Sequence, residues 1–128
     1  MVLRTDSELT GISSLIVSAS DTAEAEGSGD VPALATPRLI ALFEAAAMAA
    51  LDGKLPEDLT SVGVSISVDH IAPSPIGATV TAIAVVEAVD DAAIEFALEA
   101  MDGETLVGQG NHTRVVVERD RFIAKLGR

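Results

Sequence analysis

The sequence predicts an α+β domain in which an antiparallel sheet of about five strands wraps around one long central helix. Three observations carry that expectation: one sharply delimited apolar helix, a change of hydrophobic period from helical to two directly after it, and short polar links between the β-like runs that follow. With 128 residues, the chain suits a single domain spanning 1–128 and is too short for two.

Ile12 to Ala19 (ISSLIVSA) has the β-branched content of a first strand. Asp21 to Asp30, rich in Ala, Glu, Gly and Ser, reads as a mobile connection. The clearest helix start comes next. Thr36 is an N-cap type, Pro37 suits the first helical position where no amide donor is needed, and Gly53 after Asp52 supplies the stop. A helix is therefore expected from Pro37 to Asp52, roughly 24 Å long at 1.5 Å per residue.

Val62, Val64, Ile66 and Val68 then alternate with Gly63, Ser65, Ser67 and Asp69, the pattern of a half-buried strand, and His70 follows in phase on its core face. Pro73 and Pro75 end that strand and Gly77 opens the next segment. Thr79 to Val89, Ala93 to Met101 and Leu106 to Val117 read as three further strands. Their links, Asp90-Asp91 and Asp102-Gly103, are short enough for antiparallel hairpins. Gly108 and Gly110 inside the last strand imply a bulge or a close backbone approach. Arg119 to Leu126 suits a closing helical turn.

Composition narrows the function. Apolar residues make up 48% of the chain, mostly Ala, Val, Leu and Ile, with three Phe and no Trp or Tyr. That content suits closely packed sheet against helix and offers little on which nucleic-acid bases stack. A net charge of −12 also argues against binding phosphate backbones, so no nucleic-acid partner is expected. The chain has no Cys, which excludes disulfides and thiolate chemistry. The early residues Arg4, Asp6 and Glu8 interrupt any secretory apolar run, and the helix is too short to span a bilayer, so a cytoplasmic protein with no membrane partner is expected.

Three residues stand out chemically. Glu44 is the sole charged residue between Arg38 and Asp52, with Ile40 and Met48 one turn to either side. A carboxylate in such surroundings costs several kcal/mol unless it finds partners, so a functional role outweighs an exposed strip or a structural ion pair. Thr36, eight residues earlier, either caps the helix or presents its hydroxyl and the free amides there to an oxyanion or a water. His70 belongs on the face that packs on this helix, and histidine with carboxylate is a pairing suited to general acid–base work. His112 and Arg114 lie on the last strand. Two histidines without Cys or local ligand spacing make no case for a metal.

The segments Ala35 to Glu44 (ATPRLIALFE), Val64 to Val80 (VSISVDHIAPSPIGATV) and Gly110 to Val117 (GNHTRVVV) resemble the hot-dog-fold thioesterases, within them the group containing fluoroacetyl-CoA thioesterase. The resemblance covers most of the chain after residue 30. It implies a hot-dog fold and hydrolysis of a short or activated acyl-CoA thioester without a cofactor, in a homodimer with pockets at the subunit interface. It further implies Thr36, Glu44 and His70 as catalytic residues, with Gly77, His112 and Arg114 on the substrate-binding side. Glu44 is either the base that activates water or the nucleophile. The aromatic lid of the fluoroacetyl enzyme has no counterpart in Asp30 to Ala35 (DVPALA), so fluoroacetyl selectivity is not expected.

Two other functions fit the same scaffold. One is a non-catalytic acyl-binding dimer module. The other is an enoyl-thioester hydratase, which the opposed faces of Asp69 and His70 argue against. The acidic chain would repel coenzyme A unless Arg38, Arg114, Arg119, Arg121 and Lys125 gather near the pocket. The small outer face of Gly63, Ser65 and Ser67 suits edge pairing with a second copy.

Overall fold

In the computed structural model, which describes residues 9–127, one long helix lies across a single antiparallel sheet. The elements in chain order are β1 (Thr10–Ile16), a helical turn α1 (Ala23–Glu26), the long helix α2 (Thr36–Leu51), β2 (Leu59–His70), β3 (Thr79–Asp90), β4 (Ala93–Asp102), β5 (Thr105–Glu118) and a short closing helix α3 (Arg119–Ala124). The five strands run in the order β1-β3-β4-β5-β2, so β1 and β2 form the two edges. The expected α+β architecture is the one observed.

The sheet curls around α2 because one face of each inner strand is apolar at alternate positions. Val80, Ala82, Ala84 and Val86 of β3, with Ile94, Phe96, Leu98 and Ala100 of β4, meet Leu39, Leu42, Phe43, Ala46, Ala47 and Ala50 of the helix in one core. Small residues let the layers approach closely. A β-carbon on Gly11 of β1 would fall 2.0 Å from the Ala46 carbonyl oxygen, so the helix rests directly on that strand's backbone.

The two β3–β4 and β4–β5 links are tight turns. Asp91 and Gly103 both adopt positive φ, at 55° and 60°, as the expected hairpins require. Gly110 and Gly108 are close approaches, as expected: β-carbons there would fall 1.9 Å from the Ser67 carbonyl oxygen and 2.9 Å from Leu39 Cδ2. A register shift opposite Ala100 also places a bulge beside Gly108.

Four local expectations are corrected. The first strand ends at Ile16, because Val17 leaves the ladder to bond Ala78 and Ser18 begins a 3-10 turn. Residues 21–30, expected as a loose connection, hold regular structure instead. Asp21 accepts from the Ser18 amide and hydroxyl and from Arg38 Nε, while Thr22 caps α1. The helix, whose sequence is apolar on nearly all sides, is nonetheless exposed along a strip of Ala41, Ala45, Met48 and Ala49 beside Glu44.

The fourth correction matters most for function. The alternation from Val62 to Val68 does not lie on one face. A bulge between Gly63 and Ser65 gives Val64 no partner on β5, and the phase flips there. Before the bulge, Ser61 and Gly63 face the helix; after it, Ile66, Val68 and His70 do. Val64 itself is 58% exposed.

Candidate active site

Thr36 is the first residue of α2 rather than its cap. Ala35 holds the cap position and provides no side-chain acceptor, which leaves the Thr36 hydroxyl uncommitted to the helix end. It meets His70 instead, at 2.7 Å between Thr36 Oγ1 and His70 Nδ1. The last residue of β2 thus reaches the first residue of the helix, because the bulge at Val64 restores His70 to the inner face. Burial holds the His70 imidazole below its ordinary pKa, partly offset by the Ala72 backbone, so the ring is neutral near pH 7. Its Nε2 is buried and has no hydrogen-bond partner among the described residues. Both side chains line a cleft of about 380 Å³ whose walls include Leu34, Ala33, Ala72 and Pro73.

Glu44 lies elsewhere. Its carboxylate is found in the two settings ranked below a functional role on sequence grounds, an exposed strip and an ion pair with a distant arginine. The side chain is 44% exposed and one oxygen, Oε2, accepts from Arg114 Nη1 at 3.4 Å. Arg114 is itself 6% exposed and places all five of its N–H donors. Nε donates to Ser61 Oγ at 2.8 Å, Nη2 to the Ser61 carbonyl and Met48 Sδ, and Nη1 to Glu44 and His112 Nε2. Gly63 pairs with Arg114 across the ladder and lies beneath the carboxylate. Its part is invisible in a period-two reading, and the signal for it is its place opposite the arginine.

Within one chain the expected trio is therefore split, with Thr36 and His70 in contact and Glu44 apart from them on Arg114. Among the described residues no hydrogen bond or ion pair links Glu44 to Thr36 or His70. Gly63 and His70 stand seven residues apart on β2, about 23 Å at ~3.3 Å per residue. Thr36 and Glu44 are separated by about 12 Å along α2. Gly77 does not line the cleft. Its φ of 94° serves a turn, and its amide is spent on the Val17 carbonyl. Arg38 is committed to Asp21 at 3.1 Å. Arg119, Arg121 and Lys125 stand exposed together at the C-terminal end. Among the described residues no group of three or more His, Cys, Asp or Glu is arranged to hold a metal, and no helix is long and apolar enough to cross a membrane.

A five-stranded antiparallel sheet curled around one helix, with polar groups gathered at both ends of its edge strand, defines a hot-dog-fold protein. The chain belongs to the fluoroacetyl-CoA-specific thioesterase family, whose sequence pattern matches residues 17–120. It is 34% identical over 92 residues to the fluoroacetyl-CoA thioesterase of Streptantibioticus cattleyicolor. That stretch covers 72% of this chain and 66% of the relative, just under two thirds of its length. A variant of fluoroacetyl-CoA thioesterase solved in complex with acetyl-CoA superposes with a TM-score of 0.85 at 27% identity, covering 91% of this chain and 92% of that one. A thioesterase superfamily member from Thermus thermophilus has the same fold, with a TM-score of 0.90 at 21% identity over 99% and 94% of the two chains. The chain is accordingly a member of an enzyme family of thioester hydrolases.

Proposed function

We propose that the protein hydrolyses a small acyl-CoA thioester to the free acid and coenzyme A, with Thr36, His70 and Glu44 as the reacting groups. The observation that carries this reading is the 2.7 Å Thr36–His70 pair at the open end of α2, on the wall of a cleft of mixed polar and apolar lining. A neutral imidazole and a hydroxyl at a helix N-terminus suit polarisation of a thioester carbonyl, where positive dipole ends meet developing negative charge. The solvent-facing part of the Glu44 carboxylate suits removal of a proton from the attacking water as its oxygen bonds the acyl carbon. The carbon–sulfur bond then breaks, and the thiolate departs with little need of acid assistance.

The two half-sites come together in a homodimer paired along β2, which is an edge strand beside the exposed Val64 and Met48. Antiparallel pairing of two such edges about a twofold between Ile66 and Ser67 sets His70 opposite Gly63 of the partner subunit. Each cleft then receives Thr36 and His70 from one chain and Glu44 from the other. The acyl group is small and not selected for fluorine, since residues 30–35 provide no aromatic cover. Arg119, Arg121 and Lys125 are the exposed cations that suit the phosphates of the substrate in this acidic chain.

The test is release of free thiol from a panel of acyl-CoAs by the wild type and Glu44→Gln. Release from short acyl chains, with a loss of at least ~100-fold in the variant, is the expected result. No release from any acyl chain would leave a binding module, and hydration of an enoyl-CoA without thiol release would leave a hydratase. Equal rates for the two proteins would remove Glu44 from the reaction.

A further inference from the structure

The ring of His112 is held on every side. It lies on β5 and is 2% exposed, with its Nδ1 2.8 Å from the Ser65 carbonyl of β2. A carbonyl only accepts, so Nδ1 carries the proton. The opposite nitrogen, Nε2, faces Arg114 Nη1 at 3.1 Å, and a guanidinium only donates, so Nε2 is bare and accepts. Phe96 of β4 stacks on the ring at 5.9 Å between centroids. The charged groups facing it are Arg114 on its own strand and Glu44 on α2. One tautomer and one charge state satisfy all these neighbours.

The position of that nitrogen has a consequence for the carboxylate. Arg114 Nη1 has two hydrogens, one directed at His112 Nε2 and the other at Glu44 Oε2. A guanidinium is planar, so fixing one of these directions fixes the other. The Ser65 carbonyl sits just beyond the bulge that carries Gly63 under the carboxylate. The chain from Ser65 to His112 to Arg114 to Glu44 therefore ties the helix carboxylate to the irregular part of the edge strand.

We infer that His112 is a positioning residue: locked as the neutral Nδ1–H tautomer, it orients the Arg114 guanidinium and, through it, the Glu44 carboxylate. The inference rests on the proposed role of Glu44 in hydrolysis. It acts without touching substrate.

Two measurements test it in the full-length protein. Nitrogen-15 NMR of the imidazoles reads the tautomer directly; the expected spectrum has His112 protonated on Nδ1 alone, and an Nε2–H tautomer overturns the inference. Kinetics of two variants read the consequence. His112→Phe keeps the stacking on Phe96 but removes the acceptor, and kcat is expected to fall about 10- to 100-fold at unchanged KM, as misplacement of a reacting group does. His112→Gln restores an acceptor near the Nε2 position and is expected to recover most of that loss.

Equal losses in the two variants, or a rise in KM alone, would mark a structural role and overturn the inference. Should His112→Phe fail to fold, the glutamine variant and the wild-type tautomer still decide it. The two readings fail differently. A wild type that releases no thiol overturns the proposed hydrolysis and this inference with it, whereas normal hydrolysis with an Nε2–H tautomer overturns this inference alone.

Discussion

Glu44 Oε2 lies 2.6 Å from the point where a β-carbon on Gly63 would stand, so the carboxylate rests on bare backbone. The bulge beside Gly63 creates that seat by turning the glycine inward, out of phase with the valines around it. An apolar side chain at this position would occupy the place of the carboxylate. Sheet irregularity and site chemistry are therefore one feature of β2.

Replacing Gly63 with Ala separates stability from function. The nearest atom in the way is the far end of a flexible side chain, so relief comes chiefly from swinging Glu44 off Arg114, while His112 Cε1 at 3.1 Å must give by a few tenths of an ångström. A partly exposed ion pair is worth about 1 kcal/mol or less, and the thermal midpoint should change little. Activity should fall by about 10- to 100-fold, because the carboxylate is displaced by about 1 Å or more. Calorimetry beside thiol-release kinetics checks both. A large loss of stability with full activity per folded molecule would contradict this account.

Thr36→Ala addresses the choice between a capping and a reacting hydroxyl. A true N-cap loses roughly 1 kcal/mol on change to Ala. Here the cap position belongs to Ala35 and the hydroxyl meets His70, so helix stability should hardly respond. Hydrolysis should drop by on the order of 100-fold or more, with Thr36→Ser retaining much of the rate. Chemical denaturation and kcat on the same preparations distinguish the two roles.

Much of this arrangement was legible in the sequence. Pro37 and Gly53 located the helix, and the hairpin links located β3 to β5 within a residue or so, because turn and cap chemistry are local. His70 was rightly placed on the face that packs on the helix, but it meets Thr36 at the start of that helix and not Glu44, with which the sequence had paired it. What the sequence hid depended on the third dimension. The bulge at Val64 is a feature of pairing with β5, and it made an unbroken alternation of valines misleading. Arg114 became the partner of Glu44 although it lies 70 residues further along the chain. Asp21 and Arg38 likewise closed a segment whose composition alone resembled a loose linker.

Acid should weaken the fold through its histidines. Burial lowers the pKa of both His70 and His112 below the ordinary 6.5. Between that value and their folded ones, the unfolded chain binds more protons than the folded chain, so stability rises with pH across the window. It should be level above about pH 7 and decline as pH falls below about 6.5. Asp21, lowered by its bonds to Ser18, acts in a separate window. Its contribution is present above the ordinary carboxyl value of 3.8 and is lost only as pH falls through the lower folded one. Urea midpoints from pH 8 to pH 5 should show the decline, and His70→Asn should reduce its slope. An unchanged midpoint across that range would contradict the burial of both rings as neutral groups.

The proposed division of the site between two chains predicts complementation. Glu44→Gln and His70→Ala homodimers should each be nearly inactive, since every cleft lacks one reacting group. In a mixed dimer, one cleft combines His70 of the first variant with Glu44 of the second and is intact, while the other lacks both. Random exchange makes half the dimers mixed, so mixing should restore about one quarter of wild-type activity. Brief partial denaturation followed by refolding together provides the exchange, and sedimentation confirms that dimers re-form. If each chain carried a whole site, the same mixture would stay inactive however completely the subunits exchanged. A charge placed at the exposed bulge, Val64→Asp, should block both dimer and rescue while leaving the Thr36–His70 pair of each chain in place.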